Sequence, residues 1–146
     1  MYSIMYSYTF YCALFICCAQ VFSVEIPDPL FDKDALECLE EMKLDKSFIQ
    51  KSVDEKFRVG KDDTKMQEYL ECLGKAKKVV KEDDKLNEAS MNDHVLNVLI
   101  PLLNKSGDKN ELATKVINAC IHITGDSYGK RMVNLHNCAV EELAKH

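Results

Sequence analysis

Four cysteines, Cys38, Cys72, Cys120 and Cys138, constrain this chain more than any other feature, because they form an even set spread along one short sequence. The other three, Cys12, Cys17 and Cys18, lie in an apolar opening stretch with no charged side chain before Glu25. That stretch, running through Phe10-Tyr11-Cys12-Ala13-Leu14-Phe15-Ile16-Cys17-Cys18-Ala19 to Val21-Phe22-Ser23, has the form of a secretory signal peptide, although it lacks a Lys or Arg near its start. Cleavage is expected after Ser23. The run is shorter than the roughly 18 apolar residues a membrane span needs, so stable membrane insertion is not expected. Residues 24–146 then make one domain, secreted into extracellular fluid, where an oxidising environment turns four cysteines into two disulfides. Four cysteines allow three pairings, and the count alone leaves all three open.

Every charged residue lies in that domain, with a formal net charge of -5. No basic stripe appears, which argues against a nucleic-acid partner and suits a freely soluble carrier or signalling protein.

Apolar spacing reads as helix throughout. A first helix is expected from about Pro29, with Phe31, Ala35, Cys38, Leu39 and Met42 on one face. A second follows Asp45-Lys46-Ser47 with Phe48, Ile49, Val53 and Phe57 inward, and Gly60 ends it. A third follows Asp62-Asp63-Thr64 and carries Met66, Tyr69, Leu70, Leu73 and Ala76. Lys81-Glu82-Asp83-Asp84-Lys85 is a charged loop. Ser90 and Asp93 suggest a capping box for a fourth helix with Met91, Val95, Val98, Leu99 and Leu102, which Pro101 should bend or end. The fifth carries Leu112, Val116, Ile117, Cys120 and Ile123; Gly125-Asp126-Ser127 breaks the chain, and the sixth runs from about Tyr128 to Leu143. No segment alternates with period two, so no sheet is expected. The fold class is all-α.

Chemistry-bearing motifs are weak. Gly125-Asp126-Ser127 echoes the nucleophile block of one lipase class, but the match is three residues long and lacks a distal Asp and His pair. A turn in which Asp126 or Ser127 caps the next helix explains it better, and no enzyme activity is expected. Cys120-Ile121-His122 and His136-Asn137-Cys138 offer four zinc-capable side chains. Residues two apart on a helix point to nearly opposite sides, so convergence on one ion is disfavoured, and in a secreted chain a disulfide is the better use of the cysteines. Neither metal nor cofactor is expected. His94, His122 and His136 titrate near physiological pH and could sense it, though such residues are more often incidental. Asn104-Lys105-Ser106 is an N-glycosylation sequon on an expected turn.

The most specific signal is the cysteines in their surroundings. Cys72 sits in Tyr69-Leu70-Glu71-Cys72-Leu73, followed by a basic stretch and Glu82-Asp83-Asp84-Lys85-Leu86-Asn87. Cys120 sits in Asn118-Ala119-Cys120, followed by Gly125-Asp126 and then Cys138. Across essentially all of residues 24–146 this resembles the insect odorant-binding proteins, the pheromone and general odorant-binding family. That family has six cysteines, with three residues between the second and third and eight between the fifth and sixth. Here those second and fifth positions are Glu68 and Gly129. In the family they pair with each other, so the resemblance implies Cys38 with Cys72, Cys120 with Cys138, no orphan thiol, and a four-cysteine subgroup. It also implies that α-helix six is less tightly tied to helix three than a third bridge would make it.

The resemblance further implies six short helices around an apolar cavity, tied by two interhelical disulfides. The implied role is a monomer or weak homodimer that carries a small hydrophobic ligand, such as an odorant or pheromone, toward an odorant receptor. Longer relatives use a C-terminal tail as a plug or lid. With His146 so soon after Cys138, any acid-driven release is expected to work through histidines or helix movement. Helical phase nominates Met66, Tyr69, Leu73, Val95, Leu99, Val116, Ile117, Met132, Val133 and His136 for the ligand cavity, with ordinary core packing as the competing role of each. Tyr69 and His136 are the polar anchors, each able to hydrogen-bond a ligand while burying its ring. The rival expectation is a secreted helical signalling protein or toxin with a solid core. A saposin-like lipid binder would need three nested disulfides and fits less well.

Overall fold

The computed structural model describes residues 24–146; the expected signal peptide over 1–23 lies outside them. Six helices follow one another: α1 (Lys33–Glu41), α2 (Lys46–Ser52), α3 (Thr64–Ala76), α4, α5 (Lys109–Cys120) and α6 (Tyr128–Ala144). Helix α4 is composite, with an α segment Glu88–His94, a π turn Val95–Leu99 and an α turn Ile100–Leu102. Among the described residues there is no strand, only the isolated antiparallel bridges Val53–Val59 and Val80–Leu86.

Each helix starts where a short polar side chain can take over the backbone hydrogen bonds that a helix end leaves unmade. Asp32, Asp45, Asp63, Asn87, Asp108 and Ser127 each accept a backbone N–H of the first turn. Such caps stabilise a helix by about 1 kcal/mol each. They also correct the expected boundaries. Residues 28–30 form a separate 3-10 turn and α1 begins only at Lys33, after the Asp32 cap. Asn87, not Ser90, caps α4. Ser127 caps α6, as its sequence suggested.

Helix α2 stops at Ser52, well short of Gly60. The Asp54 carboxylate explains this: it accepts from the Lys56 and Arg58 amides, both at 2.9 Å, and from Arg58 Nε at 2.8 Å, closing a tight loop instead of another helical turn. Val53 and Phe57 therefore point inward from a loop. Pro101 does not break α4 at once. In the π turn before it the Ile100 amide reaches back to the Val95 carbonyl, and the helix continues to Leu102.

Cys38 is bonded to Cys72, joining α1 to α3, and Cys120 to Cys138, joining α5 to α6. The buried residues fall into two clusters. One gathers Phe31, Ala35, Leu39, Ile49, Val53, Val59, Met66, Tyr69 and Val133; the other gathers Met91, Val95, Leu99, Leu112, Val116, Leu135, Val140 and Leu143. Each cluster contains one disulfide. What joins them is α3 against α6, at close approach. A Cβ on Gly129 would stand 2.8 Å from the Gln67 carbonyl oxygen, and one on Gly74 would stand 2.7 Å from Met132 Sδ. Glycine lets the two helices approach at both points.

Candidate ligand cavity

Between the two clusters lies a cavity of about 160 Å³. Its wall draws on every helix. Phe31 and Ala35 come from the α1 end, Ile49 from α2, and Val53, Phe57 and Val59 from the loop that follows. Met66, Tyr69, Leu70, Leu73 and Gly74 come from α3, and the α4 stripe of Met91, Val95, Val98, Leu99 and Leu102 from across the space. Val116 of α5 and Met132, Leu135, His136 and Ala139 of α6 complete it. The π turn puts Val95, Val98 and Leu99 together on this wall, and flexible Met66, Met91 and Met132 side chains give it an adaptable surface.

Of the ten residues nominated from helical phase, Met66, Tyr69, Leu73, Val95, Leu99, Val116, Met132 and His136 stand on the wall. Val133 is buried in the cluster around α1 and α3, and Ile117 is half-buried against the cluster of α4, α5 and α6. Each neighbours a lining residue in sequence, so it faces about 100° away around the helix axis. Asn104 is exposed just past the end of α4, in the left-handed conformation (φ 49°) that closes the helix. The zinc-capable set is dissolved by the Cys120–Cys138 bond, and His122 is exposed.

The wall also has polar members that hydrophobic phase could not find: Asp32, Lys77, Ser90 and His94. The Lys77 ammonium donates to the carboxylate of Asp32 and, at 3.4 Å, to that of Asp34, while Ser90 donates its hydroxyl to the Lys77 carbonyl. Asp32 thus serves twice, capping α1 through the Ala35 amide at 3.0 Å and pairing with Lys77. Burial by itself would raise the Asp32 carboxyl, but Lys77 and the Ala35 N–H outweigh it and hold it below its usual range. Burial would likewise lower Lys77, and its two carboxylates raise it instead. The pair is ionised.

Burial lowers both histidines. Burial, with the neighbouring His136 and Lys77 adding to it and Asp32 opposing, pushes His94 down to about 4. Burial also lowers His136, against the pull of the Phe57 carbonyl, to which its Nε2 is bonded at 2.8 Å. A carbonyl only accepts, so Nε2 carries the proton and Nδ1 is the bare nitrogen of the neutral ring. Burial, with Asp32 nearby, pushes the Tyr69 hydroxyl up to about 12. At neutral pH this corner holds two neutral imidazoles, a neutral phenol and a self-compensating ion pair.

A helical protein tied by disulfides around an apolar cavity with a few polar groups on its wall has the form of a site for small apolar molecules. The chain belongs to the PBP/GOBP family, whose model matches residues 29–142. No curated protein and no solved structure matches it. The family is one of carriers rather than enzymes, and no helix of the described residues is long and apolar enough to cross a membrane.

Proposed function

We propose that this chain is a secreted carrier that reversibly binds small hydrophobic ligands, such as odorants, pheromones or other semiochemicals, and conveys them through aqueous extracellular fluid. The apolar cavity between the two buried clusters carries this reading, since a solid-core signalling protein or toxin has no use for one. The eight wall residues named above contact the ligand directly, with Ile117 and Val133 supporting them from behind. The apolar leader over 1–23 supports secretion, and the exposed Asn104 sequon supports glycosylation there.

No bond is made or broken in this function. A ligand leaves water for the cavity and returns. A molecule hiding roughly 250 Å² of apolar surface gains about 6 kcal/mol before ordering costs, so micromolar affinity is the most to be expected. The test is displacement of a fluorescent apolar probe by small volatile compounds, using protein with both disulfides formed. Saturable, reversible displacement is expected. A protein that takes up no probe is a solid-core protein, and the carrier reading fails.

A further inference from the structure

The polar side chains of the cavity wall select among ligands, an inference that rests on the carrier reading. Three of them keep a polar atom that the fold does not use. Among the described residues, neither ring nitrogen of His94 has a hydrogen-bond partner, nor does the Tyr69 hydroxyl, nor Nδ1 of His136, whose Nε2 is taken by Phe57. Tyr69 is almost completely buried, at 4% exposure, yet none of these unpartnered atoms is sealed from a water-sized probe. All three side chains line the cavity. Among the described residues no side-chain N or O atom is both sealed from solvent and unpartnered, so a ligand entering the cavity has to offer these atoms hydrogen bonds in place of water's. Several left open onto one apolar space point to a partner that comes from outside.

The atoms specify that partner. His136 Nδ1 can only accept, so the ligand must donate. The Tyr69 hydroxyl can donate, and a neutral His94 can do either, so a ligand that also accepts satisfies more of the site. Ethers, esters and ketones only accept, and an ammonium only donates. A hydroxyl does both. Charge is disfavoured as well: Lys77, the one ammonium that the described residues place on the wall, is committed to the two carboxylates of Asp32 and Asp34, so among these residues an anionic head would meet no free cation. The volume sets the scale, since a cavity of about 150 Å³ in another protein holds a benzene molecule, and this one is about 160 Å³.

We infer that the cavity is built for a small neutral alcohol or phenol, its apolar body against the methionines and aliphatic side chains and its hydroxyl bonded by Tyr69, His94 and His136. Two wall residues test this without touching the Phe57 contact: Tyr69→Phe, which removes one oxygen, and His94→Phe.

Calorimetric titration of the full disulfide-bonded domain and of both variants with p-cresol, p-xylene, 4-methylanisole and benzoate separates the terms. In the wild type, p-cresol is expected to bind at least tenfold more tightly than 4-methylanisole or benzoate. The double variant Tyr69→Phe/His94→Phe is expected to lose about tenfold for p-cresol while keeping p-xylene within twofold. If p-xylene binds but p-cresol gains nothing over 4-methylanisole, or if the double variant weakens both alike, the hydroxyl assignment is wrong and the carrier reading stands. Should none of the four bind, the hydroxyl assignment falls, and uptake of the fluorescent apolar probe decides the carrier reading separately. Circular dichroism of the variants, and the single Tyr69→Phe change, guard against a loss caused by misfolding.

Discussion

Two loops of this molecule are built alike and held differently. In Val53–Val59 and in Val80–Leu86 an antiparallel bridge closes a short loop containing one left-handed residue, Phe57 (φ 61°) or Asp84 (φ 63°), and each loop docks on α6. The first is held from inside. Asn137 exchanges two hydrogen bonds with Val59, accepting from its amide at 2.8 Å and donating to its carbonyl at 2.9 Å, while His136 donates to Phe57. The second is held from outside, by Arg131, which donates to the Asp84 carbonyl at 3.0 Å and pairs with its 90% exposed carboxylate. Only the first loop is part of the cavity wall. The same backbone design therefore takes its strength from its solvent: where water is excluded, a lost partner is not replaced, and where water is present, it is.

Breaking the inner clasp should have the largest effect. Asn137→Ala strands the amide and carbonyl of Val59, a residue only 4% exposed, and is expected to cost about 3 kcal/mol. Urea unfolding measures it. A loss under about 1 kcal/mol would mean the loop is held by its apolar contacts alone.

Acid should reach the inner loop before the outer one. Both cavity histidines have folded-state pKa values below the unfolded one, so the unfolded chain takes up protons first as pH falls. Their contribution is intact above about pH 6.5 and is lost as pH falls toward 4, on the order of 3 kcal/mol for His94. Protonation leaves the His136 donor in place, so the cost is that of charging an apolar wall. The lowered carboxyls of Asp54 and Asp83, one in each loop, lose their contribution only below about pH 4. Between these limits, the hydrogen-exchange protection factors at Phe57 and Val59 should fall while those at Lys81 and Asp84 do not. A stability profile flat from pH 7 to 4 would contradict this ordering.

Changing the seat of α6 itself should disturb both loops together. Gly129→Ala pushes a methyl against the Gln67 carbonyl, and overpacking of about 1–3 kcal/mol exceeds the gain in helix propensity. A net loss of about 1 kcal/mol, with faster exchange in both loops, is expected. For the same reason, Glu68→Cys/Gly129→Cys should raise the melting temperature less than an unstrained bridge of that kind, and a gain of many degrees would show that the helices separate easily.

These loops mark the boundary of what sequence reading could see. Six helices, the polar segments around Asp45, Asp63 and Ser127 at which three of them start, and the Cys38–Cys72 and Cys120–Cys138 pairs were legible, because start signals and helical apolar spacing are local and the family spacing carries the pairing. Val53 and Phe57 read as helical since their spacing is right, and only the Asp54 carboxylate, competing for nearby amides, makes them a loop. Most of the apolar wall followed from phase. The polar corner did not: Asp32 falls inside the helix expected from Pro29, Lys77 in a basic stretch, Ser90 reads as a helix cap, and His94 as incidental. Their meeting depends on how α1, α3 and α4 cross, which no single helix encodes.

The outer clasp should matter least, and its weakness is the sharpest check on the comparison. Arg131→Met keeps the aliphatic stem of a side chain that is only 14% exposed and removes the guanidinium bonds to Asp84 and to the Ile123 carbonyl. Water can reach the Asp84 carbonyl and carboxylate, so the expected loss is about 1 kcal/mol or less, smaller still at high salt because an exposed ion pair is screened. Displacement of the fluorescent probe should be unchanged, since Val80–Leu86 contributes nothing to the wall. If Arg131→Met destabilised the protein as much as Asn137→Ala, or weakened probe binding, burial would not be what separates the two loops, and α6 would couple the outer one to the cavity.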